Sequence, residues 1–231
     1  MQEPVLLEIR AAIARLLPAG VIASAGAIAD AVALLKPAEL APTARMSARR
    51  LQEYSAGRGH ARKALERLGL RSPAIAVGPD RAPLWPAGFV GSISHAGDLV
   101  LAVAAPSSLI RGIGIDLEPA LPLDADLVHR VCRPGELAAL APAVASSQRG
   151  KLIFSAKESV YKCIAPLTGV FLEFEDVELL FDTGGNRFRA RGRGPAAGLI
   201  APATLTGAFA EAGGYWVTAA WQRSRPDPDQ D

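Results

Sequence analysis

Gly112-Ile113-Gly114-Ile115-Asp116-Leu117-Glu118 alternates strictly between aliphatic residues and small or acidic ones. A period of two marks a strand, so Ile113, Ile115 and Leu117 share one face and Gly114, Asp116 and Glu118 the other. Two carboxylates at i and i+2 lie roughly 6.5–7 Å apart along a strand, close enough for both side chains to reach one cation. Gly112 and Gly114 leave room beside them, as if something bulky approaches the backbone. The same stretch also reads as two solvated acids on an exposed strand face. It is not a dinucleotide fingerprint, because the third glycine and the helix start are missing.

Working outward, residues 74–77, 90–94 and 99–104 are short β-like runs, the last two joined by the turn Ala96-Gly97-Asp98. Further strands are predicted over 177–181, 187–191, 205–210 and 215–221, with Gly184-Gly185-Asn186 and Gly213-Gly214 as hairpin turns. Helical periodicity runs over 5–17 and 147–164, and Pro134 suits the first position of a short helix. Thr43 is the expected N-cap of a long helix reaching Leu68, with Gly57 and Gly59 as sites of a kink or break. Residues 25–40 are Ala-rich and fit a strand or a helix equally. Each half thus reads as helices first and antiparallel strands after. The expected fold is α+β, with two similar subdomains over 1–107 and 108–223 and a frayed tail over 224–231.

The chain has 231 residues, 50% of them hydrophobic and 21% charged, which excludes disorder for most of its length. A net charge of +2 is too small for a strongly basic nucleic-acid binder. The apolar stretch 16–35 is broken by Pro18, Gly20, Gly26 and Asp30, and Glu3 and Glu8 stand where a signal peptide would be basic. Cys132 and Cys163 read as reduced thiols, and no Cys/His cluster has zinc spacing. A cytoplasmic, membrane-free chain is expected.

A second pattern is Phe154-Ser155-Ala156-Lys157-Glu158-Ser159-Val160-Tyr161-Lys162. On a helix, Ile153, Ala156, Val160 and Cys163 form the buried stripe, with Glu158 and Lys162 one turn apart on another face. These two form either a surface i,i+4 ion pair or a third carboxylate for the Asp116/Glu118 cation with a lysine for a phosphate beside it. Ser92-Ile93-Ser94-His95 ends a strand just before a turn, a weak pointer to an anion or to a stacked base. His60 and His129 have no such context and read as structural. Arg45, Arg49, Arg50, Arg58, Arg62 and Lys63 crowd the first long helix, with Arg81 in a Pro/Gly loop. They form a solvated face or grip a multiply phosphorylated ligand. Three carboxylates without imidazole or thiol suit Mg²⁺ held jointly with phosphate oxygens. The residues alone lead to a phosphoryl-type transferase or nucleotide-phosphate binder.

Taken in order, these motifs resemble those of surfactin-type 4′-phosphopantetheinyl transferases, and most nearly the enterobactin synthetase component D branch. Residues 112–118 resemble the family's G-[IV]-G-[IV]-D-x-E motif, and 154–162 its F-[ST]-x-K-E-[AS]-x-[YF]-K motif. Trp85-Pro86 through His95 resembles its W-P-to-S-H stretch, and residues 53–69 its arginine helix. The resemblance spans roughly half the chain and implies a pseudo-twofold monomer with coenzyme A in the cleft between its subdomains. It implies Mg²⁺, or Mn²⁺ in its place, on Asp116, Glu118 and Glu158. It implies Arg50, Arg58 and Arg81 near the coenzyme A phosphates, with Arg62 a weaker candidate. Ser94 and His95 would lie at the adenosine 3′-phosphate end, Lys162 on the pyrophosphate and Leu172 near the pantetheine arm. One departure is Val77, where family members often have a basic residue, so Arg81 would supply that charge from a shifted position.

The activity so implied moves the phosphopantetheine arm of coenzyme A to a serine of an apo acyl or peptidyl carrier protein. The other product is 3′,5′-ADP. Asp116, Glu158 and Lys162 would carry the chemistry, and Leu167, Val170 and Phe171 in the segment 166–172 offer apolar contact to the carrier or simply pack as a connector. Siderophore, polyketide, non-ribosomal peptide and fatty-acid carriers are all compatible. Two rivals remain: a Mg²⁺-dependent nucleotide-pyrophosphate hydrolase using the same acids, and a catalytically silent coenzyme A- or carrier-binding module.

Overall fold

The computed structural model describes residues 2–29, 35–78, 81–141, 143–201 and 203–224. The chain opens with α1 (Gln2–Leu16) and β1 (Ile22–Ala27), then α2 (Ala48–Arg67) and the short pair β2 (Ala76–Val77) and β3 (Pro83–Leu84). The hairpin β4 (Phe89–Ala96) and β5 (Leu99–Pro106) follows, and then β6 (Ile110–Pro119). Three helices come next: α3 (Ala125–Val131), α4 (Pro134–Ala139) and α5 (Ser146–Thr168). Strands β7 (Val177–Asp182), β8 (Arg187–Gly192), β9 (Leu205–Ala212) and β10 (Tyr215–Arg223) close the described chain. One sheet has the order β1-β5-β4 and the other β6-β10-β9-β8-β7, with every pairing antiparallel.

The fold is α+β, but the second half begins with a strand, β6, rather than with helices, and in the first half β1 stands between α1 and α2. β1 lies against the hairpin β4–β5 as β6 lies against β9–β10. The registers correspond: Ser24 faces Ala102, three places after Leu99 opens β5, and Asp116 faces Thr218, three places after Tyr215 opens β10. The apolar face of β6 packs with Leu101, Val103 and Trp221 into one core shared by both sheets, and Ile9, Ile13 and Leu16 of α1 close it. α2 and α5 cover the outer faces, through Ala61, Ala64 and Leu65 and through Leu152, Ile153, Val160 and Cys163.

Two details differ from the sequence expectation. Thr43 lies in a 3-10 turn (Ala41–Arg45), where Pro42 suits the tight geometry, and Ser47 caps α2 by accepting the Arg50 N–H at 3.3 Å. α2 runs unbroken through Gly57 and Gly59. A Cβ on Gly57 would lie 3.0 Å from Ile93 Cγ2, so this glycine serves helix-to-sheet contact rather than a kink. Residues 30–34 of the ambiguous stretch and 225–231 of the expected tail lie outside the described residues, while Ser224 is held by its Oγ–H donating to Ser107 O at 2.6 Å. Of the two cysteines, both free thiols, Cys163 is buried and Cys132 half-buried.

The two halves also share a motif of five residues, Lys36-Pro37-Ala38-Glu39-Leu40 and Arg133-Pro134-Gly135-Glu136-Leu137. Each glutamate accepts its own N-cap amide, from Lys36 and Arg133, at 2.8 Å. Each accepts a second amide from a later segment, Ile75 at 2.9 Å and Leu179 at 2.8 Å. Each also pairs with a cation of the long helix. Arg62 Nη1 reaches both Glu39 oxygens at 2.7 and 2.8 Å, and Lys157 Nζ lies 3.2 Å from Glu136 Oε1. These buried pairs lock α2 and α5 in register with the chain before and after them.

His60 of α2 is buried against β1, its Nδ1 2.8 Å from Ser24 Oγ. Burial, then the charges of Lys63 and Arg10, push its pKa down to about 4. The fold therefore holds His60 neutral. Its contribution is intact above the unfolded value near 6.5 and is lost as pH falls toward 4, up to about 3 kcal/mol. Urea unfolding at pH 7 and 4.5 should show this loss, and a His60→Gln chain should lack that part of the acid sensitivity.

Candidate active site

α5 approaches β6 closely because β6 carries no side chain at Gly112 or Gly114. A Cβ on Gly114 would sit 2.6 Å from Cys163 N and collide with Ser159 O; one on Gly112 would sit 2.6 Å from Leu167 Cδ1. The bulky neighbour expected beside these glycines is the helix itself. The close approach carries Lys162 Nζ to 2.6 Å from Asp116 Oδ1. Lys162 thus makes its ion pair across to the strand, not with Glu158 one turn back.

On its other side β6 meets β4 of the neighbouring sheet, and serine hydroxyls take the place of ladder bonds. Ser92 Oγ accepts the Ile115 N–H at 3.1 Å, and Ser94 Oγ accepts the Leu117 N–H at 3.3 Å. The Ser94 hydroxyl donates to Asp116 Oδ1 at 2.9 Å. Asp116 is 4% exposed, and while its Oδ1 is held from two sides, its Oδ2 is buried with no hydrogen-bond partner. A bare buried carboxylate oxygen is costly and calls for a cation or a donor.

Glu118 and Glu158 complete the acidic corner. Burial raises the pKa of each. For Glu118 the next cause is the Asp116 charge, opposed by Lys151, whose Nζ donates to Glu118 Oε2 at 3.3 Å. For Glu158 the Lys162 charge opposes the rise and the charges of Asp116 and Glu118 add to it. Among the described residues no three carboxylate, imidazole or thiol groups are gathered into a ready-made metal cage. The donor set is therefore oxygen-only and incomplete by itself.

The corner continues into a basic edge. Arg50 Nη1 donates to His95 Nε2 at 2.8 Å, which requires a neutral ring, and burial lowers the His95 pKa against the raising effect of Glu53. Arg81 lies beside Trp85, Ser92, Tyr161 and Lys162 around a cavity of about 240 Å³. On the far side of Tyr161, a cavity of about 110 Å³ is lined by Glu158, Phe171 and Leu172. Phe171 is exposed and packs edge-on to Tyr161, with ring centroids 5.5 Å apart. Glu158 and Lys162 thus open on two adjoining cavities with Tyr161 as their common wall.

Three of the expected ligand contacts have partners inside the protein. Arg58 is 5% exposed, donates through Nε to Ile75 O at 2.8 Å and lies over the Tyr54 ring, so it is an interior anchor of α2. Arg62 is committed to Glu39. Ser94 is buried and its hydroxyl donates to Asp116 Oδ1, so it orients the acid. Lys157, next to Glu158 in sequence, points into the interior and donates to Val131 O and Phe174 O at 2.8 and 3.0 Å. His129 is exposed.

Residues 36–105 match the family model of the 4′-phosphopantetheinyl transferase N-terminal domain, and residues 112–207 that of the 4′-phosphopantetheinyl transferase superfamily. The chain belongs to this superfamily. It is 41% identical over 165 residues to the 4′-phosphopantetheinyl transferase Svp of Streptomyces mobaraensis, spanning 70% of this chain and 67% of that one. It is 34% identical over 184 residues to PptT of Mycobacterium tuberculosis, spanning 78% and 81%. Enterobactin synthase component D of Escherichia coli is 37% identical over 131 residues, 55% of this chain and 61% of that one. The protein is accordingly an enzyme of the transferase class that acts on carrier proteins with coenzyme A as substrate. No helix among the described residues is long and apolar enough to cross a membrane.

Within this transferase, sequence reasoning missed the seam role of Ser92 and Ser94 and the shared wall at Tyr161. It also missed the anchors Glu39 and Glu136. The repeated Pro-x-Glu-Leu after a basic residue was the available signal for those two glutamates.

Proposed function

We propose that the transferase is of the surfactin type, in the enterobactin synthetase component D branch. It moves the phosphopantetheine arm of coenzyme A to a serine of an apo acyl or peptidyl carrier domain, releases 3′,5′-ADP and works as a cytoplasmic monomer. Its subdomains would divide near residue 107. The observation that carries the reading is the bare Oδ2 of Asp116, on a carboxylate whose Oδ1 holds Lys162 and whose charge adds to the raised pKa of Glu118 and Glu158.

These residues fit Mg²⁺. The donors are hard oxygens, one is an orphan, and the other two carboxyls are disfavoured as anions until a cation joins them. Asp116, Glu118 and Glu158 would hold the ion jointly with diphosphate oxygens, since among the described residues they do not form a metal cage by themselves. When bound, Mg²⁺ or Mn²⁺ neutralises charge on the diphosphate. Glu158 takes the proton of the carrier serine, and its raised pKa brings it nearer the range of a useful base. The serine oxygen bonds to the β-phosphorus as the bond to the bridging oxygen breaks, and Lys162 stabilises the charge that develops on 3′,5′-ADP. Arg50, Arg81 and His95 supply the basic edge for the remaining phosphates, and Leu172 and Phe171 an apolar wall for the pantetheine arm and the carrier.

Incubation with coenzyme A, Mg²⁺ and a panel of apo-carriers should raise a carrier's mass by about 340 Da, the phosphopantetheine gained in this covalent transfer. Coenzyme A turnover without any carrier gain would favour the pyrophosphate hydrolase instead. Ser94→Ala should weaken metal activation about 10–100-fold, as expected for a group that orients a ligand. Ser94→Thr should recover part of this loss, read from the Mg²⁺ dependence of transfer.

A further inference from the structure

The correspondence of the two halves assigns a partner to every catalytic position. In register, Ser24 of β1 stands where Asp116 stands in β6, and Gly26 where Glu118 stands. If the glutamate-bound cations Arg62 and Lys157 are taken as equivalent, Lys63 stands for Glu158 and Arg67 for Lys162. The catalytic cleft between β6 and α5 therefore has a mate between β1 and α2, with its charge reversed.

That mate is an open cleft of about 610 Å³, roofed on one side by α1. Arg10, Lys63 and Arg67 line it together with His60 and Ser24, and among the described residues no carboxylate does. Arg10 Nε and Nη2 donate to Ala25 O at 3.2 and 2.9 Å, and Arg67 Nη1 donates to Ala23 O at 2.9 Å. Both guanidinium groups are thereby held in place on the strand edge with other N–H donors left over. Glu3 approaches only Arg10 Nη1, at 3.7 Å, and is itself exposed.

The backbone adds donors. Since the Ala23 and Ala25 carbonyls point away from β5, so do their N–H groups, because both groups of a strand residue face the same side. The equivalent N–H groups in the catalytic half are those of Ile115 and Leu117, which donate to Ser92 and Ser94. In the mate they face the cleft. Burial first, and then the charges of Lys63 and Arg10, depress the pKa of His60 at the floor of this cleft.

We propose that this cleft is a second anion site, taking a compact phosphate-type group on Lys63, Arg67 and Arg10. Pre-placed guanidinium groups and strand amides are the donor set such an anion needs. The inference does not depend on the metal or on the catalytic acids.

The test follows the ring proton signal of His60 by NMR while inorganic phosphate is added to the full chain saturated with coenzyme A, which keeps the catalytic cleft filled. Loss of that signal in His60→Gln identifies it. The expected result is a saturable shift that a Lys63→Glu/Arg67→Glu chain weakens at least about tenfold, the effect of reversing two charge-assisted donors. Circular dichroism and carrier transfer should report that this chain is folded. A shift that chloride reproduces at matched ionic strength, no saturable shift, or equal half-saturation in the double variant overturns the proposal.

Discussion

Glu158→Ala is expected to lower carrier modification by about two orders of magnitude or more, in line with lost charge stabilisation and lost proton transfer. Asp116→Ala should do the same by a different route. Removing Asp116 deletes the bare Oδ2 and leaves Lys162 without its partner at 2.6 Å. Removing Glu158 leaves that pair intact and takes away the proposed proton acceptor. Glu158→Gln refines the comparison, since it keeps the side chain's volume but cannot take up a proton. Steady-state transfer to an apo-carrier, with circular dichroism on each variant, reads the result. Near-normal transfer by any of these folded variants would show that the acidic corner is not the reaction centre.

The second large effect is on stability. Glu39→Ala should destabilise the chain by about 3–5 kcal/mol, because it removes the buried carboxylate that Arg62 grips with two hydrogen bonds and that accepts the Ile75 amide. For a chain of this size that is a fall in Tm of about 10 °C. Glu136→Ala should cost a similar amount through Lys157 and Leu179. It should also depress transfer, because Lys157 ties Phe174 to the helix that carries Glu158. Glu39→Leu combined with Arg62→Met should cost less than Glu39→Ala alone, since no unpaired charge is then left inside. A Tm change under about 2 °C for Glu39→Ala would mean that Arg62 finds water or another acceptor, contrary to its burial.

Much of the site was readable from local pattern. The alternation over 112–118 placed Asp116 and Glu118 on one face, and the helical stripe over 153–163 turned Glu158 and Lys162 away from the core. Both periodicities are properties of a few consecutive residues. What local pattern did not show was partners. Arg58 and Arg62 sit in an arginine-rich helix and look alike in sequence to Arg50. Arg50 meets His95, from 45 residues later, while Arg62 meets Glu39, from 23 residues earlier. Ser94 looked like a ligand contact because nothing local shows that β4 lies edge to edge with β6. Gly112 and Gly114 looked like room for a ligand because the helix that fills that room lies some 50 residues downstream.

By itself the sequence determined the type of most elements, the pairing of acids on one strand face and the order of the motifs. These follow from backbone periodicity, side-chain chemistry and family resemblance. Tertiary structure alone decided which cations are displayed and which are buried against a glutamate, which Asp116 oxygen is left bare, and that the two halves carry clefts of opposite charge. The reason is physical: an ionic side chain takes its role from whichever counter-charge or acceptor the fold brings within about 3 Å of it, and that neighbour is usually distant along the chain.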